Sequence, residues 1–176
     1  MVAAAAALVT FAEFEQLPEI PGTRQELHNG EVVEVPPARH GHRLIQLNIQ
    51  EALRASFRSD LCVHIEIGFK IRNLDYRIAD VVVLPRVRWN SIPRAAYLEN
   101  SPEMVIEVLS PSNTPARMGV TEQLCLNNGC LEFWVIDPKK QTVRISTPQG
   151  LLTTYKSGDQ IPLLYGGTLP VNAIFA

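Results

Sequence analysis

The sequence predicts an α/β fold, and three features carry that expectation. Residues 63–72 alternate strictly, with Ile65, Ile67, Phe69 and Ile71 on one face and Glu66, Gly68 and Lys70 on the other, as a half-buried strand does. Residues 78–84 and 104–109 are apolar runs of strand length, each interrupted by one carboxylate, Asp80 and Glu107. Around these strands lie two helical segments, residues 40–57 and the stretch opened by Thr114.

Taken in order, Thr10 with Glu13 three residues later offers a capping box for a short helix reaching about Leu17. Residues 31–35 alternate as a strand, which Pro36-Pro37 ends. Ile45, Ile49, Ala52 and Leu53 give residues 40–57 helical spacing. A turn around residues 73–76 joins the alternating strand to the one carrying Asp80. Thr114 as N-cap and Pro115 at the first helical position start a helix, and Asn127-Asn128-Gly129 stops it. A strand over residues 131–136 follows, then a hairpin of 142–146 with 151–155. No repeat, low-complexity tract or linker interrupts the pattern, so one domain over residues 1–176 is expected.

Asp80 and Glu107 are the chemical signal. A carboxylate inside an apolar strand loses hydration and must be protonated, paired or bound to a cation. Two of them, on strands separated by one loop, suggest an oxygen-ligand site for a hard divalent ion, Mg²⁺ or Mn²⁺. The competing reading is two separately satisfied core carboxylates, each in a salt bridge or capping backbone amides. Two nearby carboxylates at low dielectric also resist double ionisation, so at least one should titrate high.

Asp80-Val81-Val82-Val83, the block from Ser101 to Ser112 containing Glu107-Val108-Leu109-Ser110-Pro111, and Leu131-Glu132-Phe133-Trp134-Val135-Ile136-Asp137-Pro138 resemble a large bacterial family of putative restriction endonucleases. Glu26-Leu27-His28-Asn29-Gly30-Glu31 is similar to that family's early stretch, and Leu169-Pro170-Val171 with Ile174-Phe175 to its ending. The likeness spans about residues 10–175. It implies the PD-(D/E)XK nuclease superfamily and a restriction-endonuclease-like αβββαβ core, a central mixed sheet flanked by helices. To that core this chain adds an N-terminal helix and strand and a C-terminal hairpin.

The resemblance also implies metal-assisted phosphodiester hydrolysis, with Asp80 and Glu107 as ligands of Mg²⁺ or Mn²⁺. The superfamily adds a lysine, commonly two residues after the Glu; here that position is Leu109. In the family it comes from the following helix, at positions that here hold Thr121 and, four residues on, Cys125 in place of the family's aromatic residue. Two residues are candidates to replace it. If the turn centres near residue 75, Lys70 faces Asp80 across the hairpin, either as a catalytic amine or as an ordinary cross-strand ion pair. Gln123 on the following helix offers an amide to orient water, or is a surface residue. His40 is placed by the resemblance at the start of the first core helix, within reach of a water, a phosphate or Glu107; a surface histidine is the alternative.

Composition narrows the remainder. The net charge of −2 and pI of about 6.1 argue mildly against a duplex binder. Locally the balance reverses: residues 39–94 carry ten basic side chains against five acidic ones, whereas the first 38 carry six Glu and only Arg24. Dispersed surface arginines or a nucleic-acid footprint both fit that segregation. Cys62, Cys125 and Cys130 have no metal-ligand spacing and read as free thiols in a reducing cytoplasm. The four His and three Cys give no zinc pattern, and neither a Gly-rich phosphate loop nor a Gly-x-Ser-x-Gly elbow is present. The apolar patch at residues 3–9 is too short to span a bilayer. With Trp89 and Ile174-Phe175 it suggests surface for a two-fold homodimer, an arrangement suited to cutting both strands of a duplex.

The expectation is a cytoplasmic, divalent-metal-dependent DNA endonuclease, weakened if its lysine is lost. The rival is a catalytically inactive nuclease fold used for nucleic-acid binding or assembly.

Overall fold

The computed structural model describes residues 8–110 and 114–176. The apolar lead-in at residues 3–7 and the Pro111-Ser112 part of the Glu107 block lie outside the described residues.

The chain runs α1 (Phe11–Phe14), β1 (Arg24–His28), β2 (Glu31–Val35), α2 (His40–Ser56), β3 (Leu61–Ile71), β4 (Asp75–Pro85), α3 (Arg86–Ser91), β5 (Leu98–Glu99) and β6 (Met104–Val108). It continues through α4 (Pro115–Leu126), β7 (Glu132–Asp137), β8 (Thr142–Ser146), β9 (Leu152–Lys156), β10 (Gln160–Pro162), β11 (Thr168–Pro170) and α5 (Val171–Ile174). The αβββαβ order expected from the sequence is carried by α2, β3, β4, β6, α4 and β7. Both halves of the Thr10–Glu13 capping box form, but α1 stops after one turn. Pro18 disfavours a helical conformation at Leu17 and cuts the segment short.

Nine strands form one sheet in the order β2-β1-β4-β6-β7-β8-β9, with β3 beside β4 and β5 beside β3. Only the β6–β7 and β3–β5 pairs are parallel. A parallel pair needs a crossover, and α4 supplies it between β6 and β7. Helix α2 packs one face of the sheet, burying Ile49 and Leu53 against Val63, Val81, Val83, Ile106 and Trp134. The second core, on the α4 side, gathers Met118, Cys125 and Leu126 with Phe69, Ala79, Val82, Val105 and Phe133.

The strict alternation expected of residues 63–72 does not hold through the whole strand. Ile65 packs in the α2 core, whereas Ile67 packs in the α4 core, although both are odd-numbered. The break falls at Glu66, whose φ of +55° lies in the left-handed region that side chains disfavour. The facing strand breaks at the same level, since Ala79 and Val81 also belong to opposite cores. In register, Asp80 lies opposite Glu66, between the pairs Ile65↔Val81 and Ile67↔Ala79. Both strands thus change face beside Asp80.

Three apolar residues expected at the surface are packed within the chain. Ile174 is fully buried, Phe175 packs against the α2 core, and Trp89 stacks on His64 at 4.1 Å between ring centroids. The apolar surface that suggested a homodimer is to that extent used internally. Among the described residues, no helix is long and apolar enough to cross a membrane.

Candidate metal centre

The centre arises where one edge of β4 changes partner. Tyr76 pairs with Leu27 of β1, and Val81–Val83 pair with β6, leaving residues 77–80 between the two pairings. Continuing the β4–β6 register beyond Val81↔Ile106 sets Asp80 opposite Glu107. The expected pair therefore meets on adjacent antiparallel strands.

Asp80 is held from two directions. Its Oδ2 accepts the backbone N–H of Val108 at 2.7 Å, next to Glu107. Its Oδ1 accepts Gln46 Nε2 at 2.7 Å and meets His42 Nε2 at 2.9 Å. His42 and Gln46 are one turn apart on α2, on the stripe that continues through Ile49 and Leu53, so the packing that seats the helix also aims both side chains. Gln46 is fully buried. A glutamine in that stripe is a readable signal, beside Ile45, which packs against the same core.

Glu107 has the complementary environment. Its carboxyl group is densely surrounded by protein, and burial raises its pKa well above the ordinary value. The charges of Asp80 and then Glu26 raise it further, as does a hydrogen bond to Asp80; only Arg77 pulls it down. The expected high-titrating member of the pair is Glu107. Without a cation, the arrangement disfavours double ionisation of the two carboxyls, with Glu107 the member that holds its proton to higher pH.

Two neighbours were missed as site residues. Glu26, from the Glu26-Leu27-His28 stretch, is buried at 9 % exposure, and His28 Nε2 lies 2.6 Å from its Oε2. Arg77 is 3 % exposed, ion-paired to Asp75 at 2.9 Å and hydrogen-bonded to the Leu27 carbonyl. It lines up with Phe69 on the α4 side, where its charge reaches both Glu26 and Glu107.

One expected placement is corrected, and Gln123 and His40 fall on their surface alternatives. Lys70 does not face Asp80: the hairpin pairs Ile71 with Asp75, so Lys70 lies opposite Tyr76. The turn is tighter than expected because Asp75 belongs to the strand, tied to Arg77 and to the Asn29 amide. The Lys70 ammonium instead sits 3.5 Å from Glu99 and 4.8 Å over the Phe11 ring. Gln123 is exposed on α4, whose inward face carries Met118, Glu122, Cys125 and Leu126. His40 is exposed at the start of α2, while His42 is the histidine that meets Asp80. Thr121 is half-buried on the Met118–Cys125 side of α4. The three cysteines are free and buried; burial raises the Cys125 thiol and pushes Cys130 up to about 12, so both stay protonated.

The donor chemistry fits a hard cation. Oδ1 of Asp80 is used by two partners, whereas Oδ2 keeps a lone pair beside its Val108 bond, and Glu107 offers two carboxyl oxygens. Among the described residues no three His, Cys, Asp or Glu side chains form a ready-made cage. Mg²⁺ does not need one, since it is commonly held by one or two carboxylates with waters and substrate phosphates completing its shell.

The fold and its αβββαβ order define a restriction-endonuclease-like α/β protein. The chain belongs to the Uma2 family, described as "Putative restriction endonuclease", whose sequence profile matches residues 11–170. The crystal structure of a "putative nuclease belonging to DUF820" from Anabaena variabilis is similar to this chain, with a TM-score of 0.82 at 21 % identity. The match covers 95 % of this chain and 97 % of that one. At that identity the likeness establishes the fold. No curated protein sequence matches the chain at a significant level.

Proposed function

We propose that this protein is a divalent-metal-dependent endonuclease that hydrolyses phosphodiester bonds in DNA, with Mg²⁺ or Mn²⁺ held by Asp80 and Glu107. The observation that carries the reading is the opposition of these carboxylates, Asp80 held by the Val108 and Gln46 donors and by His42, and Glu107 raised by burial and like charge. A half-buried acidic pair whose electrostatics disfavour its own doubly ionised form is relieved by a cation. Membership of the family supports a nuclease.

A divalent cation supplies charge neutralisation at the phosphate and activation of water. The protein's own residues do the positioning. Val108, Gln46 and His42 fix the direction of the Asp80 carboxylate, and Glu107 would release its proton to solvent on holding a cation. His42, mostly buried against Asp80, orients that carboxylate rather than reaching the scissile bond. Arg77 holds positive charge beside the acidic group, and Glu26, in contact with His28, lies at its edge.

The rival reading, a nuclease fold retained for binding or assembly, is favoured by one observation: Thr121 stands where the family's lysine would be. A supercoiled-plasmid assay separates them. The nuclease reading expects nicking with Mg²⁺ or Mn²⁺, none with EDTA, and loss in Asp80→Asn. A protein that binds Mn²⁺ and DNA but never nicks belongs to the rival class. A two-fold pair in a cytoplasmic setting suits duplex cleavage, and light scattering at micromolar concentration tests for it; a monomeric mass removes the pair from this reading.

A further inference from the structure

Of the ten basic side chains in residues 39–94, Arg43, Lys70, Arg77 and Arg88 are ion-paired with Glu66, Glu99, Asp75 and Glu103, Arg43 sharing Glu66 with Arg24, and six form no ion pair among the described residues. Arg54, Arg58 and Arg86 form no ion pair among the described residues, and all three line one cleft of about 420 Å³ together with His64.

The cleft is rigidly built. Arg54 donates Nε and Nη2 to the Val63 carbonyl at 3.1 and 2.8 Å. Arg86 donates Nε to the Ser59 carbonyl at 2.5 Å and Nη2 to that of Leu61 at 3.1 Å. Carbonyls fix these two guanidiniums without cancelling their charge, and each keeps an Nη1 donor. Arg58 is exposed at the rim. His64 stacks on Trp89, and its Nε2 is buried without a hydrogen-bond partner. Burial, then the charges of Arg54 and Arg86, lower the His64 pKa, so the imidazole is neutral at pH 7. The lining of the cleft includes no acidic side chain among the described residues, and Asp60 lines the neighbouring cavity shared with Arg86. Unneutralised guanidiniums around an unsatisfied buried nitrogen describe an anion site.

Its position relative to the carboxylates is set by two elements that span both. On α2, Arg54 lies 12 residues beyond His42, about 18 Å at 1.5 Å per residue. On β4 and its end, Arg86 lies six residues beyond Asp80, about 20 Å at 3.3 Å per residue. Both run from the acidic centre to the cleft, and the span is roughly half a turn of duplex DNA.

We infer that Arg54, Arg58 and Arg86, with His64 at the floor, form a pocket for a backbone phosphate of the nucleic acid, roughly half a duplex turn from the Asp80–Glu107 centre. This rests on the nuclease reading and adds to it: the pocket anchors the strand at a distance, as phosphate contacts fix register without reading sequence. Such a contact compensates for the chain's net negative charge by concentrating positive charge at one place.

The test uses the full chain in EDTA, which removes cleavage and any contribution from a bound cation. A 16-base-pair duplex and, separately, inorganic phosphate are titrated while the His64 imidazole resonances are followed by NMR. Duplex affinity is then measured against salt for Arg58→Glu and for Lys139→Glu, an equal charge change on a distant exposed turn. The inference expects His64 to shift and its pKa to rise with duplex. It also expects Arg58→Glu to weaken binding and lower the log–log salt slope by about 0.9 or more, with little change in Lys139→Glu. Duplex binding with an unmoved His64 and indistinguishable variants overturns the pocket and leaves the nuclease reading standing. A His64 that responds to inorganic phosphate while no duplex binds makes this a free-phosphate site, overturning the inference and the DNA reading together.

Discussion

Val108 donates its backbone N–H to Asp80 Oδ2 at 2.7 Å, so a side chain of β4 takes the place of a ladder partner at the point where the β4–β6 pairing ends. The contact ties the direction of Asp80 to the strand segment that carries Glu107. An amide at position 80 can accept from Val108 only if Gln46 turns its Oε1 inward and His42 presents a lone pair, and charge-assisted hydrogen bonds then become neutral ones.

Asp80→Asn should leave the chain folded but less stable by about 1 kcal/mol, as charge-assisted hydrogen bonds are exchanged for neutral ones. Urea denaturation measures this. A variant as stable as the parent would mean that the Val108, Gln46 and His42 contacts hold nothing in place.

Glu107 sets a pH dependence. Its folded pKa is raised, so the folded state holds a proton that the unfolded chain has released. The contribution to stability is fully present below the unfolded value of about 4.3 and is lost as pH rises through the folded value. In EDTA, stability should decline over that rise, and Glu107→Gln should flatten the decline. Mn²⁺ should reverse it in the parent and release a proton on binding, which calorimetry in buffers of different ionisation enthalpy detects. A parent and Glu107→Gln with parallel pH profiles would contradict the buried, protonated assignment.

Gln46 positions Asp80 and has its own unsatisfied cost, since Oε1 is buried without a partner. Gln46→Leu removes both, so stability should change little while cation affinity or cleavage falls about 10–100-fold, as for other groups that orient a metal ligand. Unaltered cation affinity and cleavage would reduce Gln46 to a core-filling residue.

Much of the fold was readable, and the failures share a cause. The Asp80 and Glu107 strands, the α4 boundaries and the C-terminal hairpin follow from local signals: apolar runs, Thr114 with Pro115, and turn residues. The Lys70 placement failed because a two-residue error in a turn moves every cross-strand partner, and Asp75 looks like a turn residue while its side chain is committed to Arg77 and Asn29. The switch of face at Glu66 and Asp80 left no trace in a period-two pattern. His42 and Gln46 were hidden by reading the helix only for apolar residues; a polar residue in register with Ile49 and Leu53 is as informative as a carboxylate in a strand. Glu26 of β1 and Arg77 of β4 are distant in sequence, and only the tertiary structure brings them together.

The lysine question now has a different test. Lys70 is engaged by Glu99 and the Phe11 ring, so Lys70→Met should keep its cleavage rate and lose no more than about 1 kcal/mol of stability. Thr121→Lys, on the α4 face carrying Met118 and Cys125, should raise plasmid nicking by about 10²–10³, the typical worth of one positioned charge-stabilising group. Abolished activity in Lys70→Met, with the fold intact, would return the catalytic amine to the hairpin.

The most direct measurement is anomalous diffraction from a crystal soaked in Mn²⁺. The account predicts one strong peak between Asp80 Oδ2 and Glu107, at ligand distances of about 2.0–2.2 Å, with Asp80 Oδ1 still bound to Gln46 and His42. A saturating soak that leaves this position without a peak, in crystals whose Asp80 and Glu107 remain opposed, would contradict the metal centre.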